Sequence, residues 1–130
     1  MPPVIDLTLA DIMSRMVRSV SPDCPLQEAA RLMAEARISS LLVMDGTTPV
    51  GILTERDLVR LLHARVEPMI AIGEVMTTSI VTAPEQIDFA TAYRLSLNQQ
   101  VRHLVAVDEA GAVVGIVSET DFRRQQGAPV

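Results

Sequence analysis

Apolar residues along this chain follow two alternating rhythms. Val17-Arg18-Ser19-Val20-Ser21 alternates apolar and polar, the mark of a half-buried strand, and Pro22 closes it. Leu26, Ala29, Ala30, Met33 and Ala36 then recur at helical spacing and predict a helix beginning near Pro25, a residue favoured at the first helical position. Leu41-Leu42-Val43-Met44 reads as a buried strand, Asp45-Gly46 as a turn, and Pro49 to Leu53 as the returning strand of a hairpin. A further helix follows, with Leu58, Leu61 and Leu62 on its apolar side. The order then repeats. Ile80 to Pro84 forms a strand ending in proline, and a helix from about Asp88 turns Phe89, Ala92, Tyr93 and Leu95 inward. Leu104 to Val107 is again a strand, Asp108 to Gly111 a loop, and a short last helix starts at Glu119.

The repeat is visible in the residues themselves. Val50-Gly51-Ile52-Leu53-Thr54-Glu55-Arg56-Asp57 returns 64 positions later as Val114-Gly115-Ile116-Val117-Ser118-Glu119-Thr120-Asp121. Asp11-Ile12-Met13 is echoed by Glu74-Val75-Met76. In both motif copies an apolar strand meets a hydroxyl residue with an aspartate three positions on, which is how a helix N-terminus is capped. Strand, cap and helix start together also suit an anionic ligand such as a phosphate. Each unit reads strand, helix, strand, strand, helix. A unit of this length buries too little surface to be comfortable alone, and two packed together solve that problem. The fold class expected is α/β (α+β): two tandem β-α-β-β-α repeats over 11–65 and 74–126, a lead-in over 1–10 and a linker over 66–73.

Composition narrows the function. Of 130 residues 48% are hydrophobic, enough for a real core, and no apolar run reaches the eighteen or so positions of a membrane span. Cys24 is the single cysteine and the N-terminus lacks the pattern of a secretion signal, so a cytoplasmic, reducing location is expected. The formal net charge is −5 and all 11 basic residues are arginine, without a basic run to track a phosphate backbone. Phe89, Tyr93 and Phe122 are too few aromatics for a base-stacking platform, so nucleic acid is not an expected partner. His63 and His103 show no metal-ligand spacing, and neither a nucleophile paired with a base nor a glycine-rich phosphate loop is present; no enzyme is expected.

From residue 11 to about 124 the chain resembles the paired CBS domain, or Bateman module. The resemblance rests on D-I-M and E-V-M, the strand closed by proline, the amphipathic helix, and the hairpin ending in G-I-[LV]-[ST]-x-x-D, all twice and in order. It implies repeats packed through their sheets as one pseudo-twofold module, and an adenine nucleotide or related adenosyl ligand bound in the cleft between them. By motif position Asp57 and Asp121 would take ribose hydroxyls, since a carboxylate suits a vicinal diol, and Thr54 and Ser118 would contact phosphate. The segments before the central strands, Ile38-Ser39-Ser40 and Val101-Arg102-His103, would supply adenine contacts or phosphate-binding side chains, joined by Thr82 on the preceding strand. A departure stands at Leu41-Leu42-Val43-Met44-Asp45, which lacks the proline of the family's L-P-V-V-D.

The resemblance therefore implies a regulatory module with no required cofactor. Its candidate ligands are AMP, ADP, ATP, NAD and S-adenosylmethionine, and a fused or separate effector would read the binding. It also implies a homodimer, for which Val59, Val66, Met69 and Ile70 offer apolar surface beyond the first motif helix. The alternative is a ligand-free module that acts only in dimerisation or interaction. Arg102 and His103 make the site of Ser118 and Asp121 the stronger one expected, because the first repeat offers Ser39 and Ser40 in their place.

Overall fold

The computed structural model describes residues 7–126. The chain divides into two compact units, one formed by Arg18–Thr78 and the other by residues 7–17 together with 79–126. In the first unit β1 (Ser19–Val20) runs parallel to β2 (Ser40–Asp45), which pairs antiparallel with β3 (Thr48–Thr54). Helices α2 (Leu26–Ala36) and α3 (Glu55–His63) follow β1 and β3. The second unit repeats the plan with β4 (Ile80–Pro84), α4 (Phe89–Gln99), β5 (His103–Val107), β6 (Val113–Ser118) and α5 (Glu119–Gln126), preceded by the short helix α1 (Leu9–Ile12). A 3₁₀ turn, Ile72–Glu74, belongs to the first unit.

Local chemistry accounts for the elements. Gly46 takes φ 63° in the first hairpin turn. In the longer second loop Gly111 takes φ 84°, and Asp108 Oδ1 accepts from the backbone of Ala110 and Ala112 at 2.9 Å each. Both hairpins shift register at the same place, between Val43 and Met44 and between Ala106 and Val107. Helices α2 and α4 end alike, on Arg37 and Gln100 in the left-handed region at φ 55°. That reversal aims Ile38-Ser39-Ser40 and Val101-Arg102-His103 into the central strands.

The first core gathers Leu26, Ala29, Met33, Leu41, Val43 and Leu53 with Leu61 and Ile72. The second gathers Leu9, Met13, Leu104, Val117 and the ring cluster of Phe89, Tyr93 and Phe122, whose centroids lie 5.5–6.1 Å apart. Leu42, Ile52 and Val105 point to the opposite faces of their sheets and are also buried, which explains why the central strands read as continuous apolar runs.

Three details depart from the sequence reading. The first strand is only two residues long, and Pro25 caps α2 in an extended conformation at ψ 145° instead of entering it. The first two amides of α2, from Leu26 and Gln27, donate to the carbonyls of Ile70 and Pro68, so part of the expected linker caps the first unit. Finally, the compact units cut across the sequence period. Met13 packs on Gly115, where a Cβ would meet its Sδ at 2.4 Å, and Met76 packs on Gly51, where a Cβ would meet its Sδ at 2.5 Å. The glycine of each motif thus makes room for the methionine of the other sequence copy's lead-in.

Candidate functional site

Each motif builds a complete capping box. Thr54 is the N-cap of α3: its hydroxyl accepts from the Asp57 amide at 3.2 Å, while Asp57 Oδ2 accepts from the Thr54 amide at 2.9 Å and its hydroxyl at 3.1 Å. At the start of α5, Asp121 Oδ2 likewise accepts from the Ser118 amide at 2.8 Å and its hydroxyl at 3.1 Å. The first amide of each helix is also engaged, Glu55 with the Ser39 carbonyl and Glu119 with the Arg102 carbonyl. Since an ionised carboxylate only accepts, both hydroxyl hydrogens point at the aspartates. A phosphate contact by Thr54 or Ser118 requires that bond to be exchanged.

The remaining oxygen, Oδ1, separates the two copies. Asp57 Oδ1 accepts from the Thr77 hydroxyl at 2.9 Å and from Arg60 at 3.5 Å, and Arg60 also donates to the Val75 carbonyl at 3.2 Å. Ser14 occupies the place of Thr77 in the second unit, bridging to Ile116 as Thr77 bridges to Ile52. Its hydroxyl does not reach Asp121. There, among the described residues, Oδ1 lies 3.7 Å from Arg124 and accepts from no hydroxyl, and the side chain is 21% exposed against 10% for Asp57. Asp57 is therefore closed within its unit, while Asp121 presents an acceptor to solvent.

The other residues singled out in the sequence fall around these helix starts. Ser40 pairs with Thr54 and His103 with Ser118 across the hairpins. Arg102 lies exposed with Nε 3.9 Å from Glu119 Oε2; the Glu119 carboxyl also binds Arg123, which lowers its pKa with smaller help from Arg102 and His103. Thr82, exposed, lies opposite Val105 on β4. Ile38 lines a cavity of about 290 Å3 in the first unit, together with Arg18 and Ser19. Those two were missed in the sequence, although Ser19 holds the same place in β1 that Thr82 holds in β4. Among the described residues no cluster of His, Cys, Asp or Glu has the arrangement of a metal site.

The CBS domain profile matches residues 9–64 and 72–127. The chain belongs to the CBS domain family. Its fold is the α+β tandem repeat of a CBS pair. It is 32% identical over 118 residues to inosine-5'-monophosphate dehydrogenase of Thermoplasma acidophilum, covering 91% of this chain and 23% of that protein. The chain thus spans about a quarter of the length of that relative. The CBS domain pair of protein MJ0100, in complex with 5'-methylthioadenosine and S-adenosylmethionine, superimposes with a TM-score of 0.76 at 26% identity, covering 93% of this chain and 96% of that one. A CBS domain protein of Pyrobaculum aerophilum complexed with AMP shares the fold at a TM-score of 0.74 and 20% identity, covering 88% of this chain and 89% of that one. No helix among the described residues is long and apolar enough to cross a membrane.

Proposed function

We propose that this CBS pair is a regulatory module without catalysis of its own, which senses an adenine nucleotide or related adenosyl ligand and passes the signal to a fused or separate effector in the cytoplasm. The observation that carries the reading is Oδ1 of Asp121, a partly exposed acceptor held in place by its capping box, with Arg124 at 3.7 Å and, among the described residues, no hydroxyl on it. Such a group suits the vicinal hydroxyls of a ribose, with His103 and Arg102 at the neighbouring strand entrance. The adenosyl ligands in the complexes of related CBS pairs support the same class. Phe89 and Phe122 are buried in the core and leave the base to aliphatic walls and backbone.

Calorimetry with AMP, ADP, ATP, NAD and S-adenosylmethionine tests the reading. A bond to a charged group is worth about 1.5–3 kcal/mol and about 1.4 kcal/mol is tenfold. Asp121→Ala is thus expected to weaken the binding ligand about tenfold or more, and Asp57→Ala to act chiefly on stability. A harmful Asp57→Ala beside a neutral Asp121→Ala overturns the assignment.

A second reading, a ligand-free dimerisation module, is favoured by the apolar surface of the first unit. Val59 and Leu62, one turn apart on α3, are 70% and 81% exposed, and Met69 is 63% exposed. Homodimerisation through α3 belongs to both readings, since Val59 and Leu62 are exposed together one turn apart and a contiguous exposed apolar patch marks an interface. A thermal shift screen in which none of the five ligands raises the melting temperature favours the second.

A further inference from the structure

We infer that the lead-in of this chain, residues 7–14, is an exchangeable segment, and that in a pair of chains each lends it to the second unit of the other. The strands β4, β5 and β6 and the helices α4 and α5 of that unit come from one stretch, 79–126, whereas the lead-in arrives from before the first unit. It is seated as a separate piece. Leu7 accepts from the Phe89 amide at 2.8 Å, and Leu9 and Ala10 donate to the Ile87 and Glu85 carbonyls at 3.1 and 2.9 Å. Ser14 and Ile116 exchange two backbone bonds, at 2.9 and 3.0 Å. Leu9 is fully buried in this seat, and Met13 covers Gly115.

The first unit fills the same seat from within. Ile70 accepts from the Leu26 amide at 2.8 Å, Ile72 and Gly73 donate to the Cys24 and Pro22 carbonyls at 2.9 Å each, and Thr77 and Ile52 exchange two bonds at 2.8 and 3.0 Å. The two segments agree position by position, Leu7 with Ile70, Leu9 with Ile72, Met13 with Met76 and Ser14 with Thr77. Supply is what differs. Residues 70–77 follow directly on the unit they complete, whereas the lead-in is made first and its seat last. Until β6 has emerged, Leu9 and Met13 have no seat on their own chain, and the second unit of another copy offers the same bonds. Every contact of the seat forms equally well between two chains, so exchange costs none of them. The hinge favours it: Arg15-Met16-Val17 is all that separates Ser14 from Arg18 of the first unit, and short hinges invite swapping. Met16 is 77% exposed, and Arg15 donates to the Ala10 carbonyl at 3.4 Å, bonding back to the lead-in.

The test uses two full chains, both carrying Cys24→Ala, one with Ser14→Cys and the other with Ile116→Cys. An antiparallel pair that exchanges both backbone bonds has its Cα atoms roughly 5.5 Å apart, within the reach of a disulfide. Refolded together from urea and oxidised, the two are expected to give a linked species near twice the 14.1 kDa chain, with position 14 of one joined to position 116 of the other by peptide mapping. Adding Leu9→Glu to the first chain is expected to abolish the link. A mixture without the link, beside a chain with both substitutions that closes on itself as a single chain, overturns the exchange. A link that survives Leu9→Glu overturns it too, since chance collision would then account for it, and a link in neither preparation removes the pairing on which it stands. The unsubstituted chain gives a second reading. Mixed with an isotope-labelled batch and followed by native mass spectrometry, it is expected to trade partners slowly in buffer and quickly in urea that loosens the lead-in. Trading complete on mixing in plain buffer, or a single-chain mass throughout, overturns the inference.

Discussion

The Thr77 hydroxyl lies 2.9 Å from Asp57 Oδ1, and without it that buried oxygen keeps, among the described residues, Arg60 at 3.5 Å. Leaving a buried acceptor short of partners costs about 1–3 kcal/mol. Thr77→Val, which keeps the shape and removes the hydroxyl, is expected to lower unfolding stability by that amount in urea titrations. Ser14→Ala, at the matching place in the second unit, is expected to stay within about 0.5 kcal/mol. Equal effects of the two would mean that the aspartates are not distinguished as described. Cys24 carries a second residue-scale consequence. Partial burial, reinforced by the nearby Glu28 carboxylate, raises its thiol pKa and lowers its thiolate fraction at neutral pH. Alkylation at pH 8 is expected to be slower than for a cysteine in an unstructured peptide and to catch up once the protein is unfolded in urea.

Among the elements, β3 and β6 owe their glycines to the methionines that cross them. A Cβ on Gly51 would meet Met76 Sδ at 2.5 Å and the Thr77 carbonyl at 2.9 Å, whereas the three atoms nearest one on Gly115 all belong to the Met13 side chain. A side chain gives way more easily than backbone. Gly51→Ala is therefore expected to cost more than Gly115→Ala, within the roughly 1–3 kcal/mol of an overpacked core. Met13→Ala should offset part of the Gly115→Ala loss and Met76→Ala less of the Gly51→Ala loss, read as coupling energies in double-mutant cycles. These contacts also mark how far the sequence was legible. The hairpins, the two longer helices and both capping boxes were written locally, in turn residues, apolar period and hydroxyl-to-acid spacing. Helix α1 and the 3₁₀ turn Ile72–Glu74 are too short to show a period. The D-I-M and E-V-M echo was visible, but spacing does not say which copy of the glycine each methionine meets. The closing of Asp57 depends on Thr77, 20 positions away, and Arg18 read only as the polar member of an alternating strand.

For the whole molecule, the exposed Val59, Leu62 and Met69 set a measurable expectation. Sedimentation at micromolar concentration is expected to give a mass near twice the 14.1 kDa chain, and Leu62→Glu to shift it toward one chain; a wild-type mass near a single chain would sink the homodimer. The division of the chain into units bears in addition on the order in which it folds. The first unit is one continuous stretch, Arg18–Thr78, whose strands pair with near neighbours in sequence and whose bridge from Pro25 to Ala71 stays within that stretch. The second joins residues 7–17 to 79–126 across the entire first unit, so that Ser14 must find Ile116. Closing so long a loop costs entropy before any contact repays it, and such pairings form late. During synthesis the first unit has its full complement of strands once residue 78 has emerged, while α1 waits for β6. Pulse-labelled hydrogen exchange during refolding is expected to protect β2 and β3 before the amides of Ser14 and Ile116, making the earlier half of the chain the nucleus on which the split unit is closed.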